Sequence, residues 1–188
     1  MADLATAKRT FVLDGVHGGS AGASIKPAAP AYRLVLRARP EAIEAVSQAL
    51  ELALPTRPKT SATSGLRSAL WIGPDEWLVI DQGEADLMAA LSGTTGLFSA
   101  TDVSHRNLAI IVSGPGAETT INAGCPQDLS LAAFPVGACT RTVFGKAEVV
   151  LLRVADDTFR VECWRSFADY VFGLLDEGSR DAGESGPA

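Results

Sequence analysis

Between Ala31 and Arg39 the chain reads AYRLVLRAR, and apolar and basic positions alternate. Tyr32, Leu34, Leu36 and Ala38 fall on one side, and Arg33, Val35, Arg37 and Arg39 on the other. A period of two predicts a half-buried strand with a basic outer face. The period then changes. In PEAIEAVSQALEL, Ile43, Val46, Leu50 and Leu54 recur at steps of three and four, which predicts a helix. Pro40 suits its first turn, and Glu41 and Glu44 suit the positive end of its dipole. Residues 55–68 are polar and predict a loop. ALWIGPDEWLVI predicts two short strands around Gly73-Pro74-Asp75-Glu76, and EADLMAALSG a short helix ending near Gly93.

A similar order follows in the second half. NLAIIVSG predicts a buried strand, with Ser113 capping a helix to about Ala123 and Gly124 stopping it. CPQDLSLAAFPVG predicts a loop. ACTRTVF and AEVVLLRV flank Gly145-Lys146 as a hairpin would. TFRVECW puts Phe159, Val161 and Cys163 on one face and Arg160, Glu162 and Trp164 on the other. SFADYVFGLLDE predicts a last helix. Ser166 and Asp169 suit a capping box, and Phe167, Tyr170, Val171, Leu174 and Leu175 form an apolar stripe.

The predicted fold class is α+β: two βαβ-rich halves with mainly antiparallel sheets covered by helices. The halves run over about 31–100 and 101–176, within one domain of residues 31–176. Residues 1–30 are rich in Gly, Ala and Ser and lack a period. They are expected to form a flexible N-terminal arm, and residues 177–188 a flexible tail.

Composition narrows the function. Apolar residues make up 47% of the 188 and charged residues 20%, so a sizeable core is possible. The net charge of −6 argues against nucleic acid as the main partner, because phosphate binding needs a basic surface. No apolar stretch reaches 18 residues, so no membrane span is expected. FVL near the N-terminus is too short for a signal-peptide core. Cys125, Cys139 and Cys163 are odd in number and widely spaced. They are expected to be reduced, buried thiols of a cytoplasmic protein.

The segment ATDVSHRNLAIIVSGPG places Asp102, Ser104, His105 and Arg106 within five positions. If 100–113 is extended, Ser104 and His105 point to opposite faces, whereas a nucleophile and its base must converge. No G-x-S-x-G elbow is present. Asp102 and Ser104 are expected to bind backbone groups where the strand begins. His105 and the cysteines lack metal-ligand spacing. SGPG at 113–116 lacks the phosphate-loop lysine. Arg33, Arg37 and Arg39 read as a solvated face or a contact for an acidic partner, and Trp164 and Arg165 as a core edge or an interface.

Several stretches together carry a resemblance: LRARP, WIGPDEWLVI, TDVSHRNLAIIVSGPGA, INAGCPQDLSLAAFPVGACTRTVFGKAEVVLLRV and ECWRSFADYVFGLL. They span most of residues 31–176 and resemble the gamma subunits of heterotetrameric sarcosine oxidases. DVSH followed by a strand and VSGP also resembles the first domain of the glycine cleavage aminomethyltransferases, a folate-binding family. The resemblance implies the fold of that N-terminal domain. It also implies an accessory, structural subunit of an enzyme complex that is not itself catalytic. Such a complex demethylates sarcosine oxidatively to glycine, reduces oxygen to hydrogen peroxide and passes the one-carbon unit to tetrahydrofolate. FAD, FMN, NAD, tetrahydrofolate and zinc are then implied on the alpha, beta and delta subunits and none on this chain. Its chief partner would be alpha, with no nucleic acid and no membrane. The acidic pair of the aminomethyltransferases, aligned on Arg153, falls on Ala147 and Glu148. The alternative is a self-sufficient folate-binding one-carbon protein, which needs Asp102, His105 and Glu148 to line one pocket.

Overall fold

Tyr32–Ala38 forms an interior strand of a sheet because its even positions find a core on one side, while Arg33 and Val35 face a second sheet on the other. The computed structural model describes residues 11–83 and 85–184. The strands are β1 (Gly18–Gly19), β2 (Ser24–Pro27), β3 (Tyr32–Ala38), β4 (Ser61–Ser64), β5 (Arg67–Gly73), β6 (Glu76–Asp81), β7 (Phe98–Asp102), β8 (Asn107–Ser113), β9 (Cys139–Phe144), β10 (Ala147–Ala155) and β11 (Thr158–Trp164). The helices are α1 (Ile43–Ala49), α2 (Leu87–Leu91), α3 (Ala117–Asn122) and α4 (Ala168–Glu184).

Two sheets result, and every strand pairing in them is antiparallel. One has the order β4-β5-β6-β3-β7, the other β1-β2-β8-β11-β10-β9. Three clusters of buried side chains divide the molecule into layers. Leu34, Leu36, Trp77 and Val79 pack beneath α1 and α2. Leu70, Ile72, Leu78 and Ile80 of one sheet meet Cys139, Val150 and Leu152 of the other. Ile110, Val112, Leu151, Phe159 and Val161 pack beneath α3 and α4. The order is therefore helices, sheet, sheet, helices, and the expected α+β class holds.

The N-terminal expectation needs correcting. Residues 1–10 of the arm lie outside the described residues, but Gly18–Gly19 and Ser24–Pro27 are strands. β2 pairs with β8 in the register Ile25↔Val112, and Ile25 and Leu13 are buried. Only four residues pair, too few to print a period on the sequence, and Pro27 disguises the end of the strand. The C-terminal expectation changes too: α4 runs on through Glu184, past the expected start of the tail.

Local signals fared unevenly. The hairpin at Gly145-Lys146 forms as expected, with Phe144 opposite Ala147. Gly145 has a φ of 57°, a left-handed turn that glycine tolerates. The polar stretch 55–68 holds an unexpected edge strand, β4, whose Thr63 and Ser68 hydroxyls bond across the pair at 3.0 Å. Ser113 does not cap α3; it remains in β8, and Gly116 takes the N-cap position. Ser166 makes no capping bond among the described residues, since a 3-10 turn, Arg165–Phe167, leads into α4.

Candidate functional site

β7 leaves the five-stranded sheet at Asp102, and β8 enters the six-stranded sheet at Asn107. Residues 103–106 are the step between the sheets, so 100–113 is not one extended segment, and the predicted strand from Asn107 stands apart as β8. Asp102 breaks it: its Oδ1 accepts the Ser104 N–H at 2.8 Å, an Asx turn. The Arg106 and Asn107 N–H groups both donate to the Val103 carbonyl at 2.9 Å. Val103 itself is buried between the sheets, and its N–H donates to the Arg33 carbonyl at 2.9 Å.

Ser104 is committed to this turn. Its Oγ accepts the Arg33 N–H at 2.9 Å, and its hydroxyl bonds to the Asp102 carboxylate. Partial burial pushes the Asp102 carboxyl up, but the bonds from Ser104, the charge of His105 and the Tyr32 hydroxyl outweigh it, leaving it below the usual carboxylate range. His105 is exposed at the tip of the turn. Asp102 and Ser104 therefore bind backbone, as their residue types suggested, and hold a sheet junction together.

Arg33 departs from the expected basic face. It is buried, and its guanidinium grips Glu162 of β11: Nε to Oε2 at 2.6 Å and Nη2 to Oε1 at 3.2 Å. Nη1 donates to the Ala31 carbonyl at 3.0 Å. Arg160, also buried, donates from Nε to Glu162 Oε1 at 2.8 Å. Two guanidiniums and one carboxylate thus span the space between the sheets. Burial separates the three arginines because only the near part of β3 faces β11. Arg37 is exposed and pairs with Asp75 at 2.8 Å, and Arg39 lies exposed beyond the strand end. Sequence reasoning missed Glu162 and Arg160. Their signal was two charged residues alternating on one face of a strand whose other face is apolar.

The sheets are also stitched at one edge. Thr60 bridges Ala138, and the Ser61 hydroxyl donates to the Gly137 carbonyl at 2.7 Å. The Cys139 thiol donates to the Thr60 carbonyl at 3.2 Å. Burial pushes the Cys139 thiol up to about 12, against a weaker opposing bond to Trp71. Burial, and then the charge of Glu162, pushes Cys163 up to about 12, with Arg33 opposing. All three cysteines are free and buried. Iodoacetamide at pH 8 should therefore label neither Cys139 nor Cys163 in the folded chain, and both after denaturation. Rapid labelling of either in the folded chain would contradict this placement.

The folate alternative requires a pocket that the described residues do not assemble. Ala147 is buried in the core beneath α4. Glu148 is exposed at the mouth of a slot between the sheets, with Val35, Ile72, Arg141 and Trp164. Neither Asp102 nor His105 lines that slot. Its volume is about 40 Å³, far below the ~300–1,000 Å³ of sites for drug-sized ligands. The residues present do not fit the group. Among the described residues no cluster of three or more His, Cys, Asp or Glu side chains could hold a metal, and no helix is long and apolar enough to cross a membrane.

At the C-terminal end of β11 the exposed Trp164 ring lies 6.2 Å from Phe167, and the Arg106 guanidinium sits 4.9 Å above it. The Arg165 N–H donates to the Arg106 carbonyl at 2.6 Å. The turn after β7 and the turn after β11 are thereby fastened together, which brings Arg106, Trp164 and Arg165 to one surface.

Comparison with known proteins agrees with this architecture. The glycine cleavage system aminomethyltransferase T from Bartonella henselae shares the fold, with a TM-score of 0.62 at 16% identity over 86% of this chain and 50% of that one. A chain of the heterotetrameric sarcosine oxidase from Corynebacterium sp. U-96, solved with pyrrole 2-carboxylate, superposes with a TM-score of 0.83 at 25% identity. That match covers 90% of this chain and 91% of the other. The sarcosine oxidase subunit gamma of Corynebacterium sp. (strain P-1) is 31% identical over 177 residues, covering 89% of this chain and 86% of the relative. That of an Arthrobacter species is 32% identical over 153 residues, covering 77% and 74%. The family model for the sarcosine oxidase gamma subunit matches residues 36–181, from the middle of β3 into the last turns of α4. With model, relatives and fold in accord over nearly its whole described length, the chain belongs to the sarcosine oxidase gamma subunit family.

Proposed function

We propose that the chain is a structural, non-catalytic subunit of a heterotetrameric sarcosine oxidase, an oxidoreductase complex of the cytoplasm. It packs against the alpha, beta and delta subunits, chiefly alpha, and leaves FAD, FMN, NAD, tetrahydrofolate and zinc to them. The observation that carries this reading is the likeness, end to end, to a chain of a heterotetrameric sarcosine oxidase. The local chemistry supports it. The polar groups that resembled a reactive cluster are consumed in holding two sheets together: Ser104 between Asp102 and Arg33, and Glu162 between two arginines. A group locked in buried or backbone bonds is poorly placed to exchange protons with a substrate.

The test is purification of a tagged full-length chain from its own cells. The expected result is a complex far larger than the 19.6 kDa chain, with a flavin spectrum that sarcosine bleaches. A colourless chain that elutes alone would overturn the subunit reading. Tetrahydrofolate binding by that lone chain, followed by the fluorescence of Trp71, Trp77 and Trp164, would favour the one-carbon alternative.

A further inference from the structure

The apolar arc of α4 is wider than the sheet beneath it can cover. Ala168, Val171 and Leu175 are fully buried, and Phe172 is 8% exposed. Phe167 and Tyr170, which the sequence pattern assigned to the same buried stripe, are 37% and 41% exposed. Trp164, 38% exposed, extends this surplus off the helix onto the end of β11 and packs against Phe167. Tyr170 lies against the Gly145–Lys146 hairpin, its hydroxyl accepting the Lys146 N–H at 3.2 Å, so the contiguous surplus is Trp164 and Phe167. Adjoining aromatic side chains at a surface mark a contact site more than scattered apolar residues do.

Arg106 gives the patch a sign. Its guanidinium lies over the Trp164 ring, and its Nε donates to Asn107 Oδ1 at 3.2 Å. Among the described residues it faces no carboxylate in an ion pair. In a chain of net charge −6, this is a cation mounted on an aromatic plate and left without its counter-charge. Stacking restricts the guanidinium before any partner arrives, so little side-chain freedom remains to be lost on binding. Trp, Tyr and Arg are also the residue types that dominate interface energetics.

We propose that Arg106, Trp164 and Phe167 form the surface on which a partner chain docks, and that this partner presents a carboxylate to Arg106 and an apolar side chain to the Trp164–Phe167 edge. The inference deepens the subunit reading above and rests on it. A second copy of the chain fits poorly, since a two-fold contact through so small a patch would set one cationic patch against another.

The experiment is co-expression of the whole complex with a tagged chain, reading flavin absorbance recovered per tagged chain. Arg106→Glu combined with Trp164→Ala should lower recovery at least about tenfold, the scale of losing a central anchor. Arg37→Glu, on the exposed Asp75 pair, should leave it unchanged. Arg106→Gln removes the charge with a shorter polar side chain and leaves Trp164 in place, so it guards against simple misfolding; it should lower recovery partway. Full recovery with Arg106→Gln and with the double variant overturns the proposed surface. An equal loss with Arg37→Glu also overturns it, by showing that recovery does not report this patch. A wild-type tag that recovers no flavin overturns the subunit reading itself.

Discussion

Glu162→Ala should destabilise the chain by about 3–5 kcal/mol, because it leaves two buried guanidiniums without their shared counter-charge. Arg33 and Arg160 both lie in the layer between the sheets, and Glu162 is the carboxylate that meets them. No spare acceptor waits nearby: Arg160 Nη2 is buried and already lacks a hydrogen-bond partner among the described residues. Urea unfolding of the full-length chain measures the effect, and a loss below about 1 kcal/mol would mean that the cluster is hydrated or rearranges freely. The triple exchange of Arg33, Arg160 and Glu162 to Met or Leu gives the complementary result. It removes the charges together and should be close to neutral or stabilising. If the single exchange is costly and the triple is not, the cluster specifies how the sheets align rather than how stable they are.

Ile25→Ala should cost about 2–5 kcal/mol, the usual range for emptying a core isoleucine site. Ile25 has no exposed surface and packs with Ile110, Val112 and Phe159 beneath the helices. A mobile arm would predict a change within about 0.5 kcal/mol, as for other surface exchanges. The same urea measurement separates the two. Alanine can occupy β2 without disturbing its backbone pairing to β8, so the effect reads burial rather than the strand itself.

What was legible in the sequence follows from which interactions are local. β3, β8, β10 and β11 are long strands with both faces in contact with something, and their alternation or apolar runs announced them. The Gly145-Lys146 hairpin was legible because a two-residue turn of that kind needs a left-handed backbone. β2 and β4 were not, since each has four residues and takes its meaning from a partner strand. The Asp102–Ser104 bonding was foreseen from residue type, but the turn it makes was not. Arg33 was misjudged because alternation separates two faces without saying that both are covered. Phe167 and Tyr170 were misjudged in the opposite direction, since an apolar stripe does not reveal how wide a surface lies beneath it.

The sheet order has a kinetic consequence. β2 belongs with β8 to β11, yet the whole five-stranded sheet lies between them in the chain. On a ribosome making about 5–20 residues per second, the roughly 80 residues from β2 to β8 take about 4–16 s. The first-made strand of the six-stranded sheet must wait that long for its neighbour. Its other anchors wait longer still: the Gly19 N–H is held by Asp176 of α4, and the Ser20 hydroxyl by the Ser179 carbonyl. The β1–β2 segment is therefore fastened only when α4 has emerged. The inserted sheet can form in the meantime, and closing the long loop around it is the step expected to set the pace of folding.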